Sequence, residues 1–139
     1  MRAIHRNRTT MSKFLLSLST AIALIAAGPV RTFTIAGEPF GEADIVDARM
    51  QPDLNGFPTV LVTLEEAAAT RFAKLTRDHV GEKMPILLDG KVLSEPLLRE
   101  AITGGAFEIS GNMTVPEAIV LAKRISGKDP LPDSLDDAP

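Results

Sequence analysis

Asp89-Gly90 lies between the apolar run Pro85-Ile86-Leu87-Leu88 and the alternating stretch Lys91-Val92-Leu93-Ser94, and it leaves this part of the chain few conformations. A two-residue hairpin turn that matches strand twist needs positive φ at its central positions, which Asp-Gly tolerates well. The spacing predicts a hairpin whose turn is flanked by Leu88 and Val92. Pro96 ends its second strand or holds it at an edge, Gly104-Gly105 supplies another turn, and Ala106–Ser110 alternates again before Gly111-Asn112 breaks the pattern. Met84–Asn112 is thus a turn-rich sheet around which the remaining elements are arranged.

Upstream, Arg31–Ile35 alternates as a first strand, followed by the break Gly37-Glu38-Pro39-Phe40-Gly41. Ile45–Met50 has a weaker strand pattern, Pro52–Gly56 is a turn cluster, and Thr59–Leu64 is β-branched and apolar as a central strand requires. Thr63-Leu64-Glu65-Glu66 fits a capping box at the start of a helix over 65–80, with Ala68, Phe72, Leu75 and Val80 on its apolar face and Gly81 as terminator. Phe72 is expected against the sheet that begins at Met84. Thr114-Val115-Pro116-Glu117 repeats the box and opens a second helix, with Val115, Ala118, Ile119, Ala122 and Ile125 as its apolar stripe and Gly127 as its close. The expected fold class is α+β, a small mostly antiparallel sheet with two helices packed on it.

At 139 residues and 45% apolar composition there is room for one domain with one modest core. Six Phe and no Trp or Tyr leave few stacking platforms for bases, which disfavours nucleic-acid binding. The lack of cysteine removes disulfides, thiolate metal sites and a thiol nucleophile. His79 is the one histidine beyond the N-terminal segment, so no metal centre is expected, and it reads as a solvated cation at a helix end. Glu65-Glu66 and Asp44/Asp47 are explained by capping or face different ways, and Gly104-Gly105-Ala106 lacks the Lys-Ser/Thr that a phosphate-cradling loop needs. No cofactor is expected, and the chain does not read as an enzyme. A small hydrolase would need acids clustered in a closed pocket.

The first 27 residues carry Arg2, Arg6, Arg8 and Lys13 with no acid, and Phe14–Ala27 is apolar for 14 positions. That run is shorter than the roughly 20 residues of a comfortable membrane span and ends in small residues, as a cleavable signal peptide does. Periplasmic or secreted localisation follows, and an uncleaved N-terminal anchor is the alternative. Without this segment, 11 basic face 18 acidic side chains, a balance that argues against anionic partners. Residues 128–139, with four acids and three prolines, read as a disordered acidic tail. The division is a signal peptide over 1–27, a linker or strand over 28–38, the α+β domain over 39–127 and the tail.

An ordered series of motifs carries a family resemblance. It runs through Asp47-Ala48-Arg49, Val62-Thr63-Leu64, Arg71–Arg77 closing on Val80-Gly81, and Ile86–Ser94 followed by Pro96. Ile102-Thr103-Gly104-Gly105, Ile109–Thr114 and Glu117-Ala118 complete it. From about Pro39 to Gly127 the chain resembles the head subdomain of the first periplasmic domain of SecD, the accessory subunit of bacterial Sec protein export. The resemblance implies a stand-alone exported domain with a non-enzymatic binding or accessory role, contacting unfolded or translocating polypeptide or a Sec-type translocase component. The alternative is a structural or regulatory module that docks onto a membrane partner without a transport role. Membrane contact is expected only through the signal segment or a partner.

Small sheets have edges that accept extended peptides by main-chain hydrogen bonding, and edges that are merely covered. The contact surface expected here is the Asp89–Pro96 hairpin with Gly104–Ile109 nearby. Lys91, Leu93, Glu95 and Phe107 are the candidate partner-binding residues, and Asp89, Gly90, Gly104, Gly105, Gly111 and Asn112 are structural turn formers.

Overall fold

The computed structural model describes residues 31–132. The expected signal segment and residues 133–139 of the expected tail lie outside the described residues. Seven strands and two helices follow one another in the order β1 (Phe33–Ile35), β2 (Glu38–Pro39), a 3-10 turn (Glu42–Asp44), β3 (Ile45–Pro52), β4 (Pro58–Leu64), α1 (Glu66–Asp78), β5 (Ile86–Leu88), β6 (Lys91–Ser94), β7 (Ala106–Ser110) and α2 (Val115–Ser126). The class is α+β with antiparallel pairing, as expected. The strands form two sheets where one was expected, in the orders β2-β1-β5-β6 and β3-β4-β7.

The division follows from two tight turns and one long hairpin. Asp89 (φ 52) and Gly90 (φ 79) form the expected turn between β5 and β6. Leu88 pairs with Lys91, and Val92 sits one step further on, opposite Leu87. A second turn of the same kind, Ala36 (φ 49) and Gly37 (φ 80), joins β1 to β2 where the stretch expected to be a break begins. Left-handed backbone at Ala36 costs roughly 1–2 kcal/mol, which is why composition does not announce it. β3 and β4 form the long hairpin, and β7 joins its far side with Val60 opposite Ile109 and Val62 opposite Phe107.

One apolar cluster unites the two sheets and both helices. It includes Phe33, Ile35, Ile86 and Leu88 from the four-stranded sheet, and Ala48, Val60, Val62, Phe107 and Ile109 from the other. Phe72 of α1 is fully buried in it, with ring contacts to Phe40 (6.2 Å, edge-on) and Phe107 (4.8 Å). Its aromatic neighbours therefore lie on β7, within the Met84–Asn112 stretch it was expected against, and beyond β2, and the β5–β6 hairpin supplies neither.

The helix ends differ in how they meet expectation. Thr114 and Glu117 cap α2 reciprocally, with the Thr114 N–H donating to Glu117 Oε2 at 2.7 Å, and Gly127 closes it in the left-handed conformation at φ 76. At α1 the expected box is absent because Thr63 is still in β4, paired with Asp47 and Ala106. Glu65 is the cap there, without a side-chain bond. α1 stops at Asp78, so Val80 falls outside it and is exposed, and the inward face is Ala68, Phe72 and Thr76, with Leu75 half-buried against the core. On α2, Val115 and Ile119 are exposed, and the buried stripe is Ala118, Ala122 and Ile125.

Residues 128–132 run along β3. The Leu131 N–H donates to Asp47 Oδ1 (2.9 Å), Arg49 donates to the Leu131 carbonyl, and Lys128 Nζ reaches the Ile45 carbonyl (3.0 Å). The first part of the expected tail is thus held by β3 side chains and backbone.

Candidate functional site

β6 is an edge strand, paired with β5 alone. Its bulged pairing leaves Leu93 as the extra residue between Val92 (opposite Leu87) and Ser94 (opposite Ile86). The β5–β6 hairpin forms one wall of a groove of about 640 Å³, α2 forms the other, and Gly111-Asn112-Met113 complete its lining. Leu88, Val92 and Leu93 line the hairpin wall, and Pro116, Val120 and Leu121 line the α2 wall. Val92 is 49% exposed and Val120 58%, so among the described residues the groove presents uncovered apolar surface.

Polar groups occupy the rim. Asp89 and Arg124 face each other across the groove at 2.9 Å. The Thr32 N–H and the Arg124 guanidinium hold the Asp89 carboxyl below the ordinary carboxylate range. Glu117 is held low by the Thr114 amide and hydroxyl, with a smaller contribution from Lys91. Both carboxylates therefore stay ionised at neutral pH while remaining occupied by their local partners.

Of the residues singled out in the sequence, Lys91, Leu93, Asp89, Gly111 and Asn112 meet at this groove. Glu95 is exposed but lies beyond the end of β6 and does not line it. Phe107 does not belong with them. It alternates inward on β7, is 7% exposed and stacks on Phe72, so no surface partner reaches it. Gly90 is an exposed turn residue at φ 79. Gly104 and Gly105 line a second cavity of about 650 Å³ beside α1, where a Cβ on Gly105 would meet the Ala69 Cβ at 3.0 Å.

Val120, Leu121, Pro116, Met113 and Arg124 were absent from the sequence expectation. A signal for them exists in Ile119-Val120-Leu121, three consecutive apolar residues on a helix too amphipathic to bury all three. His79 is half-buried, and its Nδ1–H donates to the Leu75 carbonyl at 2.8 Å, so it fastens the end of α1. Among the described residues, no three His, Asp or Glu side chains are placed to hold a metal ion.

A tip with separate character closes the β3–β4 hairpin. Asp53 Oδ1 accepts from the Asn55 and Phe57 N–H groups (2.8 and 2.9 Å), and Asp53 N–H donates to the Phe57 carbonyl. This bonded loop displays Leu54, which is fully exposed, and Phe57 at 66% exposure.

Comparison with known proteins gives one consistent result. The family described as SecDF, P1 head subdomain, matches residues 34–128. The protein translocase subunit SecDF of Thermus thermophilus is 41% identical over 91 residues, which are 65% of this chain and 12% of that protein. The protein translocase subunit SecD of Acidaminococcus fermentans is 43% identical over 79 residues, 57% of this chain and 19% of that one. Two solved structures superpose at 38% identity. One, of a membrane component SecDF that enhances protein export, has a TM-score of 0.59 over 66% of this chain and 41% of its own. The other, of SecDF in a super-membrane-facing form, has a TM-score of 0.61 over 69% and 13%. The chain spans less than a fifth of the length of these curated relatives.

Proposed function

The chain belongs to the SecDF P1 head subdomain family, and from that membership we propose that it is an exported accessory domain of protein translocation whose groove between β6 and α2 takes up extended polypeptide. One observation carries this reading, a groove that an edge strand, β6, shares with an apolar wall on α2. An extended segment laid along β6 gains main-chain hydrogen bonds that do not depend on its sequence, and its alternate side chains meet Val92, Leu93, Val120 and Leu121. Sequence tolerance is what a contact with many different exported chains needs. Residues 1–27 act in this reading as a cleaved signal peptide or as an anchor, and the domain works in the periplasm.

The test is titration of the protein with an unfolded, aliphatic-rich peptide, followed by amide and methyl NMR. Shifts confined to β6 and α2, and a loss of about tenfold or more in affinity for Val120→Asp, are expected. Val120 is exposed, so this substitution should leave stability within about 0.5 kcal/mol. Unchanged affinity in that variant overturns the reading.

The docking alternative draws on a different observation, the hydrogen-bonded tip carrying Leu54 and Phe57. A preorganised pair of exposed apolar side chains suits insertion into an apolar surface of a membrane-embedded translocase component. Retention of one stoichiometric membrane protein by the wild type, lost in Phe57→Ser and kept in Val120→Asp, would favour this role.

A further inference from the structure

Thr32, where the chain enters β1, is bonded to the turn of the neighbouring hairpin on both sides of its peptide unit. Its N–H donates to Asp89 Oδ1 at 3.0 Å, and its carbonyl accepts from the Asp89 N–H at 2.7 Å. The residue before it, Arg31, donates to the Lys123 and Arg124 carbonyls at the end of α2 and pairs with Glu42. Two successive residues thus hold the two walls of the groove, Thr32 the hairpin and Arg31 the helix. Asp89 Oδ2 and Arg124 Nη2 then join the walls directly at 2.9 Å, and both residues line the groove. Arg124 is 55% and Asp89 41% exposed, and an ion pair this open adds little to global stability, which suits a contact that has to open.

We propose that Asp89 and Arg124 form a clamp that sets the width of the groove, and that Arg31-Thr32, at the entry to β1, brace this clamp from both walls. The inference rests on the polypeptide-binding reading for what the groove holds, but the clamp itself is a statement about geometry. Loss of the Thr32–Asp89 bonds or of the Arg31 contacts to α2 loosens the two walls, and the Asp89–Arg124 contact opens with them. Asp89 is therefore a positioning residue with three tasks, the turn at φ 52, the anchor for Thr32 and the link to α2.

The chain contains no cysteine, so spin labels at Lys91→Cys and Val120→Cys, one on each wall, report the groove width by pulsed electron–electron resonance in the full chain. Asp89→Asn keeps a residue that tolerates positive φ and removes the charge, and Arg124→Gln removes the partner from the other wall. Each is expected to broaden the label-to-label distance distribution, the double variant to add nothing further, and Arg31→Ala to broaden it in the same direction. Lys74→Gln, which removes an ion pair on α1, should leave it unchanged. A distribution unaltered by both Asp89→Asn and Arg124→Gln overturns the clamp, and a response to those two without one to Arg31→Ala overturns the brace at the entry to β1. Peptide affinity measured on the unlabelled variants is expected to change by about threefold or more. A width that responds while the wild type binds no unfolded peptide would leave the clamp standing and sink the polypeptide-binding reading instead.

Discussion

Thr76 is fully buried on the inward face of α1, and its hydroxyl accepts the Ile102 N–H at 2.9 Å while donating to the Ala73 carbonyl at 3.1 Å. It fastens the loop between β6 and β7 to the helix. Thr76→Val keeps the shape of the side chain and leaves the Ile102 N–H without its acceptor, so a loss of about 1–3 kcal/mol is expected in urea unfolding. A loss below about 0.5 kcal/mol would mean that the amide finds another acceptor. Thr76 stands four residues after Phe72, so the spacing for an inward position was visible in the sequence while its polar side chain masked it. Phe107 shows the reverse case. Its alternation with Ala106, Glu108 and Ser110 already marks it as sharing one face with Ile109, and the buried face of β7 is the one that both occupy.

Two Thr-x-x-Glu patterns stand before the two helices, and the fold uses only the second. Thr114 is free to cap because Gly111-Asn112 has ended β7 before it, whereas Thr63 is committed to the ladders of β4. Thr114→Ala should cost about 1 kcal/mol, and Thr63→Val should stay within about 0.5 kcal/mol. Equal losses measured in the same denaturant series would contradict this division. The hairpin turn, the strands β4 and β7 and both helices were legible because turn chemistry and apolar period act locally. The split into two sheets was not, since it depends on Ala36 accepting a positive φ and on which strands meet across the core. For the same reason half of the candidate groove was legible. Lys91 and Leu93 belong to a recognisable edge strand, while the opposing wall exists only because α2 leaves Val120 exposed and Leu121 half-buried beside it.

Across the molecule, three carboxylates among the described residues are held below their ordinary range by groups they meet only in the folded state. Asp89 is held chiefly by the Thr32 amide, Glu117 by the Thr114 amide and hydroxyl, and Asp78 by Lys74. A group whose folded pKa is depressed binds fewer protons folded than unfolded, so its contribution is complete above the ordinary carboxylate value of about 4 and is lost as pH falls through the lower folded value. The thermal midpoint should therefore be flat between about pH 5 and 7 and fall steadily below about pH 4. Asp89→Asn should begin lower at neutral pH and fall less steeply, so that its curve approaches the wild-type curve in acid. Because Asp89 and Glu117 both line the groove, peptide affinity should weaken over the same acid range if the groove is the binding site. Parallel midpoint curves for wild type and Asp89→Asn would place the acid sensitivity in other carboxylates. Affinity that starts to fall before the midpoint does, as the pH is lowered, would show the groove walls separating before the core unfolds, the order of events expected of a clamp of exposed charges over a closely packed apolar cluster.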